Sequence, residues 1–252
     1  MAGPGGRPSL TVLGVRVDNL TRGQALDRLA RLAGGGRAAQ VSFVNAACLN
    51  LAWDDADYRR ALAGSELTLA DGMGLRLAGL LLGCRVADNL NGTDLVPELL
   101  ARLAGGVFLL GGAPGVAEGA AARLQRRLGV EVAGWRHGHP EPGREADAAA
   151  QVRASGAAVL LAGLGAPRQE KWLARWLPAT GARLGLGVGG LLDFLSGRLP
   201  RAPRALRSAG LEWAWRTALE PRRLWKRYLL GNWVFLARVA RERWSAPCGW
   251  RG

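Results

Sequence analysis

Val107-Phe108-Leu109-Leu110-Gly111-Gly112-Ala113-Pro114-Gly115 is the stretch on which the fold turns. Four consecutive apolar residues run into a turn of glycines and proline, and Val116 to Leu128 then carries apolar residues at helical spacing. A strand without polar alternation belongs in a sheet covered on both faces, the habit of parallel strands. Reading forward, a strand at Val130 to Ala133, a helix at Glu145 to Ala154 and a strand at Ala157 to Leu161 continue the alternation. Reading backward, Thr93 caps a helix to about Ala104, and Leu67 to Ala70 is a strand ending in Asp71-Gly72 before an apolar helix to Leu82. Val41 to Val44 is a short strand, after which Asn45 caps a helix through Leu62. Leu10 to Val17 reads as one strand, followed by a capping box from Thr21 to Gln24 that opens a helix to about Leu32. The expected fold is α/β: a mainly parallel, Rossmann-like sheet with helices on both faces.

In such a sheet ligands bind beyond the carboxyl ends of the strands. Those ends carry Asn45, Asp71, Gly111-Gly112, the run Gly163 to Glu170, and Val188-Gly189-Gly190 with Asp193. Glycine lets a backbone approach a phosphate, and a following helix start offers unpaired N–H groups to an anion. The usual nucleotide fingerprints are missing. Gly163-Leu164-Gly165-Ala166-Pro167-Arg168 lacks the third glycine of the dinucleotide motif, and no Gly-Lys-Ser/Thr loop occurs. His137 and His139 belong to no metal-ligand cluster, so neither a metal nor another cofactor is expected.

Charge divides the chain unevenly. From Arg198 to Gly252, thirteen Arg or Lys face three Glu, so this segment holds ten of the net +14, and six of the ten Trp lie in it. Basic residues interleaved with Trp suit phosphates, on nucleic acid or at an anionic bilayer. Leu224, Tyr228, Leu229, Trp233, Leu236 and Val239 recur at near-helical spacing, as in an amphipathic helix lying at a membrane surface, or as residues packing on the body. Nothing matches a nucleic-acid recognition motif, which leaves a basic nucleic-acid-binding α/β protein as the lesser alternative. Residues 1–9 read as a flexible leader without a signal-peptide core, 10–199 as the α/β domain, and 200–252 as a basic helical appendage. The apolar runs fall short of the roughly 20 residues that span a bilayer. Cys48, Cys84 and Cys248 are odd in number and far apart, which fits a reducing compartment.

Seven ordered motifs then carry a resemblance. They are Ala70-Asp71-Gly72-Met73-Gly74, Asn91-Gly92-Thr93-Asp94-Leu95, Val107 to Gly112, Gly165-Ala166-Pro167-Arg168-Gln169-Glu170, Gly187-Val188-Gly189-Gly190, Arg201-Ala202-Pro203, and Glu212-Trp213 ahead of Glu220-Pro221-Arg222-Arg223-Leu224. From about Leu10 to Leu236 the chain closely resembles the WecG/TagA/CpsF family of bacterial glycosyltransferases. The resemblance implies metal-independent, inverting transfer of a sugar from a UDP-sugar to a polyprenyl-pyrophosphate-linked saccharide, in synthesis of cell-surface polysaccharides. It places the protein in the cytoplasm, peripherally on the inner face of the cell membrane, with an appendage that contacts the bilayer and completes the site. Self-association through the body is among the family's implied behaviours.

Asp71 matches the family's proposed base, which removes the acceptor hydroxyl proton; as a turn residue before Gly72 it also has an ordinary structural reading. Asn45 is expected to contact the donor, the Gln169 amide to meet sugar or phosphate oxygens, and Gly111, Gly112, Gly189, Gly190 and Asp193 to cradle the nucleotide. Arg216, Arg222, Arg223 and Arg227 match the family's Arg-rich appendage and are candidates for the pyrophosphate, Arg216 foremost. Two stretches depart from teichoic-acid enzymes. Asp88-Asn89-Leu90-Asn91 stands where they carry Glu-Arg before Gly-Thr-Asp, and Phe43-Val44-Asn45 where they carry Thr-Pro-Asn. Both favour the branch making Gram-negative polysaccharides, with UDP-glucose, UDP-N-acetylmannosamine and its uronic acid as open donors.

Overall fold

A computed structural model describes residues 8–138, 143–208, 210–226 and 230–245. In chain order the elements are β1 (Ser9–Val12), β2 (Val15–Asp18), α1 (Arg22–Ala33), β3 (Ala39–Val44), α2 (Ala46–Asp54), α3 (Ala56–Ala63), β4 (Leu67–Ala70), α4 (Met73–Leu81), α5 (Gly92–Leu100), β5 (Val107–Gly111) and α6 (Val116–Leu128). They continue as β6 (Val132–Arg136), α7 (Glu145–Ser155), β7 (Val159–Gly163), α8 (Arg168–Thr180), β8 (Leu184–Gly187), α9 (Leu191–Ser196), α10 (Arg204–Ser208), α11 (Glu212–Leu219), α12 (Pro221–Trp225) and α13 (Gly231–Ser245). The strands form one sheet in the order β1-β2-β4-β3-β8-β7-β5-β6, antiparallel between β1 and β2 and parallel elsewhere.

Alternate strand residues feed opposite layers. On one face Val41, Phe43, Leu67, Leu69, Val107, Leu109, Val159 and Leu161 pack with residues of α1, α5, α6 and α9. On the other, Phe108, Leu110, Leu160 and Ala162 pack under α7 and α8, while Val44 and Ala70 pack under α2 and α4. Every residue of β3, β4, β5 and β8 is buried, which accounts for the unbroken apolar run of β5 and for the lack of charged residues in all four.

The expected α/β architecture is present, with local corrections. Leu10 to Val17 is a hairpin and not one strand: Val12 pairs with Val15 across the two-residue turn Leu13-Gly14, where φ is 51° and 74°. That turn type normally advertises itself as Asn-Gly or Asp-Gly. Here a leucine takes the first position because it is buried and its N–H donates to Glu242 Oε2 at 2.9 Å. The expected helix from Asn45 to Leu62 is two helices. Asp55 closes α2, and its Oδ1 accepts from Tyr58 N to open α3. The last parallel strand begins at Val132, two residues later than expected, because Val130 finishes α6: Gly129 is left-handed, and the Val130 N–H reaches Leu124 O. Asn91, and not Thr93, caps α5, its Oδ1 accepting from Asp94 N at 2.9 Å.

Residues after 199 form helices α10 to α13, and α13 packs across α2 and α4. Phe235 and Val239 lie fully inside the same apolar cluster as Leu49, Leu75 and Tyr58. The near-helical set read as membrane-facing is therefore divided. Leu224 and Val239 are buried, Leu236 is half-buried against the body, and Trp233 is exposed. Tyr228 and Leu229 lie outside the described residues. Among the described residues no helix is long and apolar enough to cross a membrane.

Candidate active site

The carboxyl ends of β3 to β8 converge on a cavity of about 680 Å³. Each strand delivers its following residues to the rim: Asn45 after β3, Asp71 after β4, Gly112 to Pro114 after β5, Gly138 after β6, Gly163 to Ala166 from β7, and Val188 to Leu191 after β8. This is where an open parallel sheet places its ligands, since the strands end and the helix N-termini begin on that side. The β5 turn shows why glycine is required. Gly111 has φ 119°, and a Cβ there would lie 2.5 Å from the Gly163 carbonyl oxygen of the paired strand.

Asp71 is half-buried and lines the cavity. Its backbone is fixed on both sides: Asp71 N donates to Val44 O at 2.8 Å, and Gly72 N donates to Asn89 Oδ1 at 2.6 Å. Asn89 thus holds the turn that aims Asp71, a role the sequence did not disclose. Its neighbours are equally occupied, with Asp88 Oδ2 accepting from Arg22 N at 2.7 Å and Leu90 in the core. Asn45 follows the neighbouring strand, one residue past the paired Val44 and Ala70, and also caps α2, Oδ1 accepting from Cys48 N at 3.1 Å.

Gln169 also lines the cavity. It is 4% exposed, and Oε1 accepts from both Gly165 N at 3.1 Å and Gly189 N at 2.9 Å, while Nε2 donates to Glu170 Oε1 at 2.8 Å. Its amide ties the β7 and β8 glycine loops together, a structural task beside the expected contact with sugar or phosphate oxygens.

Arg216 on α11 lines the cavity. Its guanidinium carbon lies 5.3 Å from the centre of the Phe194 ring, and Nη2 sits 2.7 Å from where a Cβ on Gly190 would be. The side chain rests directly on the bare β8 loop, and its Nε is buried without a hydrogen-bond partner among the described residues. Asp193 lines the same wall, 3.7 Å from Arg198 Nη1. Arg198 is a second cation of the cavity that sequence reading passed over, as it did Phe43, Thr93 and Phe194 as lining residues. Thr93 is available for that wall because Asn91 takes the capping work. Of the other appendage arginines, Arg222 is exposed and outside the lining; the Arg223 side chain and Arg227 fall outside the described residues.

The segment carrying Arg216 is clasped to the body. Arg201 Nη1 reaches Asp94 Oδ1 at 2.7 Å, Arg207 Nη1 the same oxygen at 3.4 Å, and Arg201 Nη2 lies 3.6 Å from Glu212 Oε1 at the start of α11. Burial works against the ionised Asp94, but hydrogen bonds from Arg201 and Asn91 and the charges of Arg201 and Arg207 outweigh it and hold the carboxyl below its ordinary pKa. The Arg-Ala-Pro, Gly-Thr-Asp and Glu-Trp motifs, far apart in sequence, are thereby parts of one joint. Among the described residues no group of three or more His, Cys, Asp or Glu is arranged to hold a metal.

A mostly parallel sheet covered on both faces thus gathers glycine turns, the carboxylates of Asp71 and Asp193 and the Arg216 guanidinium around one cavity at its carboxyl edge. The sequence model of the WecG/TagA/CpsF glycosyl transferase family matches residues 10–248. The chain belongs to that family.

Proposed function

We propose that the protein is an inverting, metal-independent transferase that moves a sugar from a UDP-sugar to a polyprenyl-pyrophosphate-linked saccharide at the inner membrane face. The observation that carries this reading is the meeting of Asp71 and Arg216, from opposite ends of the chain, in one glycine-walled cavity. Its size suits a nucleotide sugar, since such sites commonly enclose about 300–1,000 Å³.

Each group then has a task. The glycine turns after β5, β7 and β8 let the diphosphate approach the backbone, and helix starts offer N–H groups to its charge. Asn45 and Asp193 orient the donor, Asp193 through ribose hydroxyls. Asp71 takes the proton of the acceptor hydroxyl as that oxygen attacks the anomeric carbon. The bond from that carbon to the diphosphate oxygen breaks, and UDP leaves with the electron pair. Arg216, held against Gly190 and Phe194, meets the charge gathering on the departing diphosphate. A planar guanidinium matches two phosphate oxygens at once.

UDP release measured across UDP-glucose, UDP-N-acetylmannosamine and its uronic acid, with short-chain polyprenyl-pyrophosphate N-acetylglucosamine or cellobiose as acceptor, tests the reading. Acceptor-dependent release from one donor is expected. Release from none of the three would overturn it.

A further inference from the structure

We propose that α4, a helix of the catalytic body, supplies part of a bilayer-docking surface together with α13. This rests on the membrane-bound acceptor proposed above and adds to it a second contact element outside the basic segment. On α4, Leu75, Ala78 and Gly79 are buried, whereas Leu77, Leu80 and Leu81 face outward, Leu80 at 70% exposure. Spacing of i, i+3 and i+4 puts these three leucines on one stripe. The packed neighbour α13 does the same: Phe235 and Val239 go inward, while Trp233 at 74% and Trp244 at 87% go outward with Val234. Leu230, just before α13, is exposed as well. Single exposed leucines are ordinary, but outward stripes on two helices packed side by side are not.

Charge decides the occupant. Arg76 on α4, Arg222 and Lys226 around α12, and Arg241 and Arg243 on α13 are all exposed. Neither α4 nor α12 contains an acidic residue. The one acid of α13, Glu242, is turned to accept from Leu13 N. A second copy of the chain would bring these cations against their own counterparts, whereas anionic lipid headgroups complement them. Trp at headgroup depth and leucine just below it is how interfacial helices bind. The geometry also serves the reaction. Since α4 begins two residues after Asp71, and a helical rise of about 1.5 Å per residue sets Leu80 only some 10 Å along the axis from the helix start at Met73, the leucine stripe belongs to the same helix that leaves the candidate base.

The full-length protein and a Leu77→Glu/Leu80→Glu/Leu81→Glu variant would be compared by flotation with mixed phosphatidylcholine–phosphatidylglycerol vesicles and by transfer to a water-soluble acceptor. The variant is expected to lose vesicle binding by about tenfold or more, with circular dichroism and soluble-acceptor turnover unchanged. Leu80→Glu alone, at the most exposed position, should show a smaller loss if the triple change disturbs folding. Wild-type vesicle binding by both variants overturns the assignment of α4; loss of binding in Trp233→Glu at the same time would leave the membrane reading standing on α13. Failure of the unaltered protein to bind anionic vesicles overturns the surface, while soluble-acceptor turnover separately reports on the transferase reading. A dimer in solution that Leu80→Glu converts to monomer would assign the stripe to a second copy and also overturn the proposal.

Discussion

Asp71 and Gln169 show how differently two polar side chains can serve one cavity. Asp71 stands at the open end of β4, its peptide fixed by Val44 and Asn89. Asp71→Asn keeps the shape and removes the proposed base, so turnover should fall by about a hundredfold or more with donor affinity retained; steady-state rates and donor titration check this. Gln169 works below the surface, accepting from two loop N–H groups. Gln169→Leu keeps much of the volume but strands the amides of Gly165 and Gly189, which should cost about 2–3 kcal/mol of stability. Urea denaturation would read the loss as a lower midpoint. Both residues stood out in the sequence as candidates to meet substrate, yet the loop-bridging work of Gln169 was not legible there. A glutamine after Gly-Ala-Pro looks solvated until the β7 and β8 turns are seen to meet above it.

Among elements, the joint between α11 and the β8 loop sets the position of Arg216. Gly190 has φ −75°, open to any residue, so Gly190→Ala introduces no backbone strain, and the three atoms nearest its methyl all belong to the Arg216 guanidinium. Displacing that group by about 1 Å should lower turnover on a soluble acceptor by roughly ten- to a hundredfold without unfolding the protein. The joint is also acid-sensitive. Asp94 has a lowered folded pKa, so the unfolded chain binds more protons in the window between the two values. Its contribution is complete above about pH 4, the unfolded value, and is lost as pH falls through the folded one. Thermal melts of the wild type should therefore decline more steeply below about pH 4 than those of Asp94→Asn. The strands and helices around β5 and β7 were legible because buried parallel strands write unbroken apolar runs. The hairpin at Leu13-Gly14 and the break at Asp55 were not. The first replaces the usual turn residue with a leucine held by Glu242, and the second hides two helices behind one aspartate that ends one and begins the next.

At the scale of the whole molecule, the acids lining the cavity among the described residues are Asp71 and Asp193, and Asp193 has Arg198 close by. Cations supplied by the chain sit where leaving-group charge would collect, so EDTA should leave turnover unchanged; a strict requirement for added Mg²⁺ or Mn²⁺ would contradict that assignment. A different property follows from how the last helix is attached. Leu13 meets Glu242 across 229 positions, and Asn50 meets Gly231 across 181 and Arg238 across 188. Contacts so distant in sequence require closing the longest loops and form late in folding. The sheet and its glycine turns can assemble before α11 brings Arg216 into place, so a partly folded chain presents the donor cleft without its guanidinium. Refolding followed by far-UV circular dichroism, which the sheet and its covering helices dominate, should then run ahead of recovered turnover, and the lag between the two measures the docking of the final helices.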